Sequence, residues 1–66
     1  MQLTVNGKPE HIENGITIRD LLAQRRLDPD KVVVELNLEI VERDKYTETV
    51  LGESDNVEIL RFVGGG

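Results

Sequence analysis

The chain has 66 residues and a formal net charge of −5, enough for one small domain with a thin core. It contains no cysteine and a single histidine, which excludes a disulfide scaffold and a thiolate zinc site. The acidic balance argues against nucleic acid and against anionic membrane surfaces, since both demand a basic face, and leaves a partner with a basic docking face. No stretch is long and apolar enough to span a bilayer, and the N-terminus begins at once with strand-like alternation rather than a charged and then apolar leader. A cytoplasmic protein is expected.

Met1, Leu3 and Val5 alternate with Gln2, Thr4 and Asn6, the pattern of a half-buried strand. Asn6-Gly7 is a strong hairpin signal, and a second strand is expected over Lys8–Glu13. Pro9 lacks an N–H and places that strand at a sheet edge. After Asn14-Gly15, Thr17 reads as a helix N-cap with Asp20 three residues on, a variant of the capping box. Ile18, Leu21 and Leu22 form one apolar helical face, Arg25 and Arg26 suit the helix C-terminus, and Asp28-Pro29-Asp30 ends the element.

Lys31–Asn37 is the most strand-like segment, with Val32, Val34 and Leu36 facing inward and Val33, Glu35 and Asn37 outward. A short strand should include Ile40 and Val41. Between Arg43 and Leu51 the pattern is ambiguous: Thr47–Leu51 reads as a turn of helix or as an irregular crossover anchored by Val50 and Leu51. Gly52-Glu53-Ser54-Asp55 is a turn, and Asn56–Val63 is the last strand. The expected fold class is α+β, a mixed sheet of four to five strands with one main helix packed on one face and the first and last strands side by side. Residues 1–63 would form the domain and 64–66 a glycine tail.

Elimination narrows the chemistry. Nucleophilic catalysis needs a nucleophile, a base and an orienting group. The only histidine, His11, falls on the edge strand, and the only serine, Ser54, falls in the last turn. Both suit solvated positions better than a catalytic pair. The carboxylates are dispersed and form no EF-hand pattern, so no metal site is expected. Gly64-Gly65-Gly66 is not a phosphate loop, because neither helix nor lysine follows it. Extended, three glycines reach roughly 10 Å and would enter a channel too narrow for any other residue. The α-carboxylate expected at Gly66 is a poor electrophile until activated, most simply as an acyl-adenylate, and a partner would have to supply ATP. Glycine runs of this kind are also common as frayed ends or expression scars.

Asn6-Gly7, Asp28-Pro29, Val32-Val33-Val34-Glu35-Leu36-Asn37, Ile40-Val41, Val57-Glu58-Ile59 and Phe62-Val63-Gly64-Gly65-Gly66 occur in an order that resembles the ubiquitin-like β-grasp sulfur carriers, nearest the thiamin-biosynthesis branch. The likeness spans essentially the whole chain. It implies a protein substrate and sulfur donor rather than an enzyme, with no bound cofactor. An E1-like adenylyltransferase would adenylate Gly66 using ATP. Sulfur derived from cysteine, often through a cysteine desulfurase, would convert it to a thiocarboxylate, and thiazole synthase would consume the sulfur. Gly64, Gly65 and Gly66 would enter partner active sites. Other outcomes of the same resemblance are the molybdopterin-synthase small subunit, a carrier for amino-acid synthesis, and a modifier joined to lysines. An interaction module with an inert tail is the reading from a different class. Two positions depart from the pattern: Leu38 stands where many relatives have glycine or a basic residue, and Ser54-Asp55 replaces a Gly-Asp turn. If Val57 and Ile59 face the core, Leu60 and Phe62 face the opposite side, where Val33 joins them. These residues with Val63 would form an apolar docking patch beside the tail, unless Phe62 and Val63 only wrap the sheet edge and finish the core.

Overall fold

The computed structural model of the chain describes residues 1–62. Five strands and one α-helix follow in the order β1 (Gln2–Val5), β2 (Lys8–His11), α1 (Ile18–Gln24), β3 (Val32–Leu36), β4 (Glu39–Val41) and β5 (Asn56–Arg61), with single 3-10 turns at Pro29–Lys31 and Arg43–Lys45. The sheet order is β2-β1-β5-β3-β4. β1 and β5 run parallel, and every other neighbouring pair is antiparallel. The expected α+β architecture and the pairing of first and last strands are therefore present.

β2 is an edge strand, as Pro9 requires. Met1 and Ile12 exchange both backbone hydrogen bonds at 2.8 Å. Hydrogen-bonded pairs alternate with non-bonded ones in an antiparallel ladder, so the Thr4–Pro9 pair is non-bonded and the missing N–H points to the open edge. The strand proper spans Lys8–His11, and Ile12, which is buried, carries the ladder one pair further through its bonds to Met1; Glu13 lies beyond it.

The helix begins as its sequence dictates. Thr17 Oγ1 accepts from the Asp20 N–H and Asp20 Oδ2 accepts from the Thr17 N–H, both at 3.1 Å. The N–H groups of Ile18 and Arg19 donate to the carbonyls of Thr49 and Tyr46, so the crossover satisfies donors that the helix itself leaves open. The helix stops earlier than Asp28-Pro29 would suggest. Arg26 adopts φ +58, its N–H donates to the Ala23 carbonyl, and the Leu27 N–H donates to that of Leu22. This Schellman closure places Arg25 at the C-cap and Arg26 beyond it.

Ile18, Leu21 and Leu22 pack against Leu3, Val5, Val32, Val34, Val57 and Ile59 in one core on a single sheet face. The 43–51 crossover closes that core differently from expectation. Leu51 is buried, but Val50 is 58% exposed and Tyr46 is only 2% exposed. Val50 forms an isolated antiparallel bridge with Thr17. Extended geometry there sends Leu51 inward and Val50 out, and Tyr46 rather than Val50 joins the core. Arg43 fastens the crossover to the start of β3, its Nε donating to the Pro29 carbonyl at 2.8 Å and its Nη2 to that of Val32 at 3.3 Å.

Two hairpins share one turn geometry. Asn6 and Gly7 have φ +50 and +81, and Asn37 and Leu38 have φ +52 and +73. A two-residue turn with both φ values positive matches the twist of its strands and favours Asn-Gly. Leu38 therefore occupies a glycine conformation while 79% exposed. Ser54, at φ +69, does the same in the last turn. Substituting glycine at either position removes left-handed strain of ~1–2 kcal/mol, partly offset by greater unfolded-state freedom. Leu38→Gly and Ser54→Gly should each raise the thermal midpoint by a few degrees, read by circular dichroism. A fall in either midpoint would contradict the strain argument.

Candidate functional site

β5 lies at the centre of the sheet, between β1 and β3. Its alternation is strict. Val57 and Ile59 are buried against the helix, which turns Glu58 and Leu60 to the face that no helix covers. Antiparallel pairing sets Val33 directly opposite Leu60 and Glu35 directly opposite Glu58. Directly opposed residues share a face, so Val33 joins Leu60 on the open side. Phe62 lies two residues past Leu60 and still donates its N–H to the Lys31 carbonyl at 3.1 Å, continuing the alternation. Leu60 and Phe62 are 51% and 56% exposed, and Val33 is half-buried. Phe62 therefore does not finish the core.

One member of this surface was not apparent from residue pattern alone. Ile40 pairs with Glu35 across β3 and β4 and is 69% exposed, extending the apolar surface to the edge strand. A signal for it was present: a two-residue turn at Asn37-Leu38 fixes the 35–40 pairing, and an outward Glu35 then requires an outward Ile40.

Asparagine side chains hold β5 from both flanks. Asn6 Oδ1 accepts from the Ile59 N–H at 2.7 Å, and Asn37 Oδ1 accepts from the Asn56 N–H at 2.9 Å. Asn37 Nδ2 donates to Asp55 Oδ1, whose other oxygen accepts from the Gly52 N–H at 2.7 Å. The turn residues thus also fix the strand that leads to the glycine run.

The remaining candidates stay apart. His11 pairs with Gln2 from β2, while the Ser54 N–H donates to the Gln2 carbonyl from the other side of β1. Two strand spacings, about 10 Å, separate them, and no hydrogen bond joins them. No group of three or more His, Asp and Glu among the described residues is placed to hold a metal. A shallow cleft is lined by Gln2, Leu3, Thr4, Glu53 and Ser54, but the Glu53 carboxylate spends its oxygens on the Gln2 N–H. No helix among the described residues is long and apolar enough to cross a membrane. Val63, expected in the docking patch, and Gly64, Gly65 and Gly66, expected to form the reactive tail, lie outside the described residues.

A family model described as the ThiS family matches residues 3–66. The sulfur carrier protein ThiS of Bacillus subtilis is 43% identical over 65 residues, covering 97% of this chain and 98% of that protein. A thiazole synthase of Magnetococcus marinus is 41% identical over 66 residues, and this chain spans only 20% of its length. Among solved structures, the thiamine biosynthesis protein (ThiS) from Geobacter metallireducens superposes over the full length of both chains with a TM-score of 0.85 at 39% identity.

Proposed function

The chain belongs to the ThiS family, and from that premise we propose that it is a sulfur carrier for the synthesis of the thiazole ring of thiamin. The observation that carries this function is the extent of the family match, which runs through the glycine run to residue 66. That extent favours a family feature over an expression scar. The β-grasp fold it shares with the Geobacter protein presents β5 as a central strand leading directly to those glycines.

In this reading the protein is a substrate and donor rather than an enzyme, working in the cytoplasm. The Gly66 carboxylate attacks the α-phosphate of ATP in the site of an E1-like adenylyltransferase, and pyrophosphate leaves. Persulfide sulfur that a desulfurase takes from cysteine then attacks the acyl carbon. A C–S bond forms and AMP departs, leaving an acyl disulfide; a thiol reductant cleaves its S–S bond, forming a disulfide with the desulfurase cysteine and leaving the thiocarboxylate. Thiazole synthase takes the sulfur from it. Gly64 to Gly66 carry no side chains, so they can thread a narrow channel in each partner while residues 1–63 stay outside it. Partnership with thiazole synthase draws support from relatives of that name in which a region like this chain forms one fifth of a single polypeptide. The same relatives favour the thiamin branch over the molybdopterin and amino-acid branches.

Val33, Leu60, Phe62 and Val63 are proposed as the docking patch for these partners. Leu60 and Phe62 are exposed and contribute little to the core, so Leu60→Ser and Phe62→Ser should fold as wild type. Each should weaken partner binding by about tenfold or more, measured by calorimetry against thiazole synthase. Unchanged affinity in both folded variants would remove the patch from the mechanism.

A further inference from the structure

The open sheet face carries an electrostatic defect at the centre of its apolar surface. Glu35 and Glu58 are directly opposed on β3 and β5, with Cβ atoms about 4.5–5.5 Å apart. Like charges in that arrangement are destabilising. Both side chains are half-buried, so solvent screens them incompletely. Among the described residues neither has an ion-pair partner: the two salt bridges join Arg25 to Glu10 and Arg43 to Asp30. The groups facing the pair offer no relief. Ile40 flanks Glu35 from β4, the Val33–Leu60 pair adjoins on one side, and Asn6 lies beyond Glu58 with its side-chain Oδ1 accepting from the Ile59 N–H. Lys31, the nearest cation along β3, is four residues from Glu35, about 13 Å of strand.

Resting on the docking reading given above, we infer that this face receives a partner surface that sets one arginine or lysine side chain between Glu35 and Glu58. Ile40, Val33, Leu60 and Phe62 pack around that contact. A guanidinium can donate to two carboxylates at once, and the surrounding apolar residues exclude water and strengthen the pairing. Charge complementarity selects this occupant over a second copy of the chain, which carries a net charge of −5 and would bring more carboxylates to the same face. The occupant is the thiazole synthase, the partner to which relatives of this chain are covalently joined.

The test compares wild type, the double variant Glu35→Gln/Glu58→Gln, Glu58→Lys and Leu60→Ser. Affinity for thiazole synthase is measured at about 50 and 300 mM salt, where screening differs roughly twofold in range, alongside the thermal midpoint of each free protein. The double variant should bind about tenfold more weakly at low salt, lose most of its salt dependence, and melt no lower than wild type because a repulsion is gone. Glu58→Lys should melt higher, through a new pair with Glu35, and bind still more weakly. If the double variant binds with wild-type affinity and salt dependence while Leu60→Ser is impaired, the cation contact is wrong and the apolar docking reading survives. Wild-type binding by every variant, or no binding by the wild type, overturns both. A lower midpoint in the double variant assigns the pair a structural role and also overturns the inference.

Discussion

Removing Gly65 and Gly66 is expected to leave a folded domain that can no longer transfer sulfur. Every buried apolar residue described lies between Leu3 and Ile59, so the core is complete before the glycine run begins. The thermal midpoint should therefore move by no more than roughly 2 °C, well under the ~4–8 °C that one kcal/mol of lost stability produces in a domain of this size. Thiazole formation in a reconstituted mixture of activating enzyme, ATP, sulfur source and thiazole synthase should fall to background. The loss follows from geometry as much as from chemistry: two residues fewer shorten the reach by about 7 Å, so the carboxylate now at Gly64 stops short of the activating site. A variant that still supports thiazole formation would show that the reactive group lies elsewhere. A variant that unfolds would show that the glycines belong to the core.

The largest effect on stability is expected at Leu22. Its side chain is fully buried beneath the sheet, and its carbonyl accepts from the Leu27 N–H in the closure of α1. Leu22→Ala should cost about 2–5 kcal/mol through lost transfer energy and the cavity left behind. A chain of this length holds roughly 3–10 kcal/mol in total, so the variant would be marginal or unfolded at 37 °C. Its midpoint should drop by roughly 8–40 °C, followed by circular dichroism at 222 nm or by hydrogen exchange. A drop below roughly 4 °C would mean that the helix is not seated on the sheet as described.

The strands were legible wherever one side of the chain is buried and the other is not. Leu3 and Val5, Val32 and Val34, and Val57 and Ile59 all announce their face through period-two alternation. The helix start was legible because Thr17 and Asp20 are local to it. Arg25 and Arg26 marked its end, but not the left-handed closure at Arg26, which arginine does not advertise. The crossover was the least legible segment. Tyr46 is buried in the core that α1 and the sheet share, a placement set by residues distant in the chain, and the residue pattern within 43–51 does not separate it from Val50. The open face was half legible: Leu60 and Phe62 followed from alternation in β5, but Ile40 and the opposition of Glu35 to Glu58 depend on register, which a single strand does not encode. The glycine run contributed the reverse lesson. Its composition alone was ambiguous; its place after the last strand in this order of motifs gave it weight, and a family match that runs to residue 66 added to that.

The central claim is that sulfur travels on the carboxyl carbon of Gly66. Intact-mass spectrometry of the purified protein after incubation with an E1-like adenylyltransferase, ATP and a cysteine-derived sulfur source tests it most directly. The predicted product is heavier by the mass difference between one sulfur and one oxygen atom, and the added mass should lie on the C-terminal glycine fragment and vanish when thiazole synthase and its remaining substrates are added. An unchanged mass, with an adenylyltransferase shown to be active on another carrier, would contradict the account.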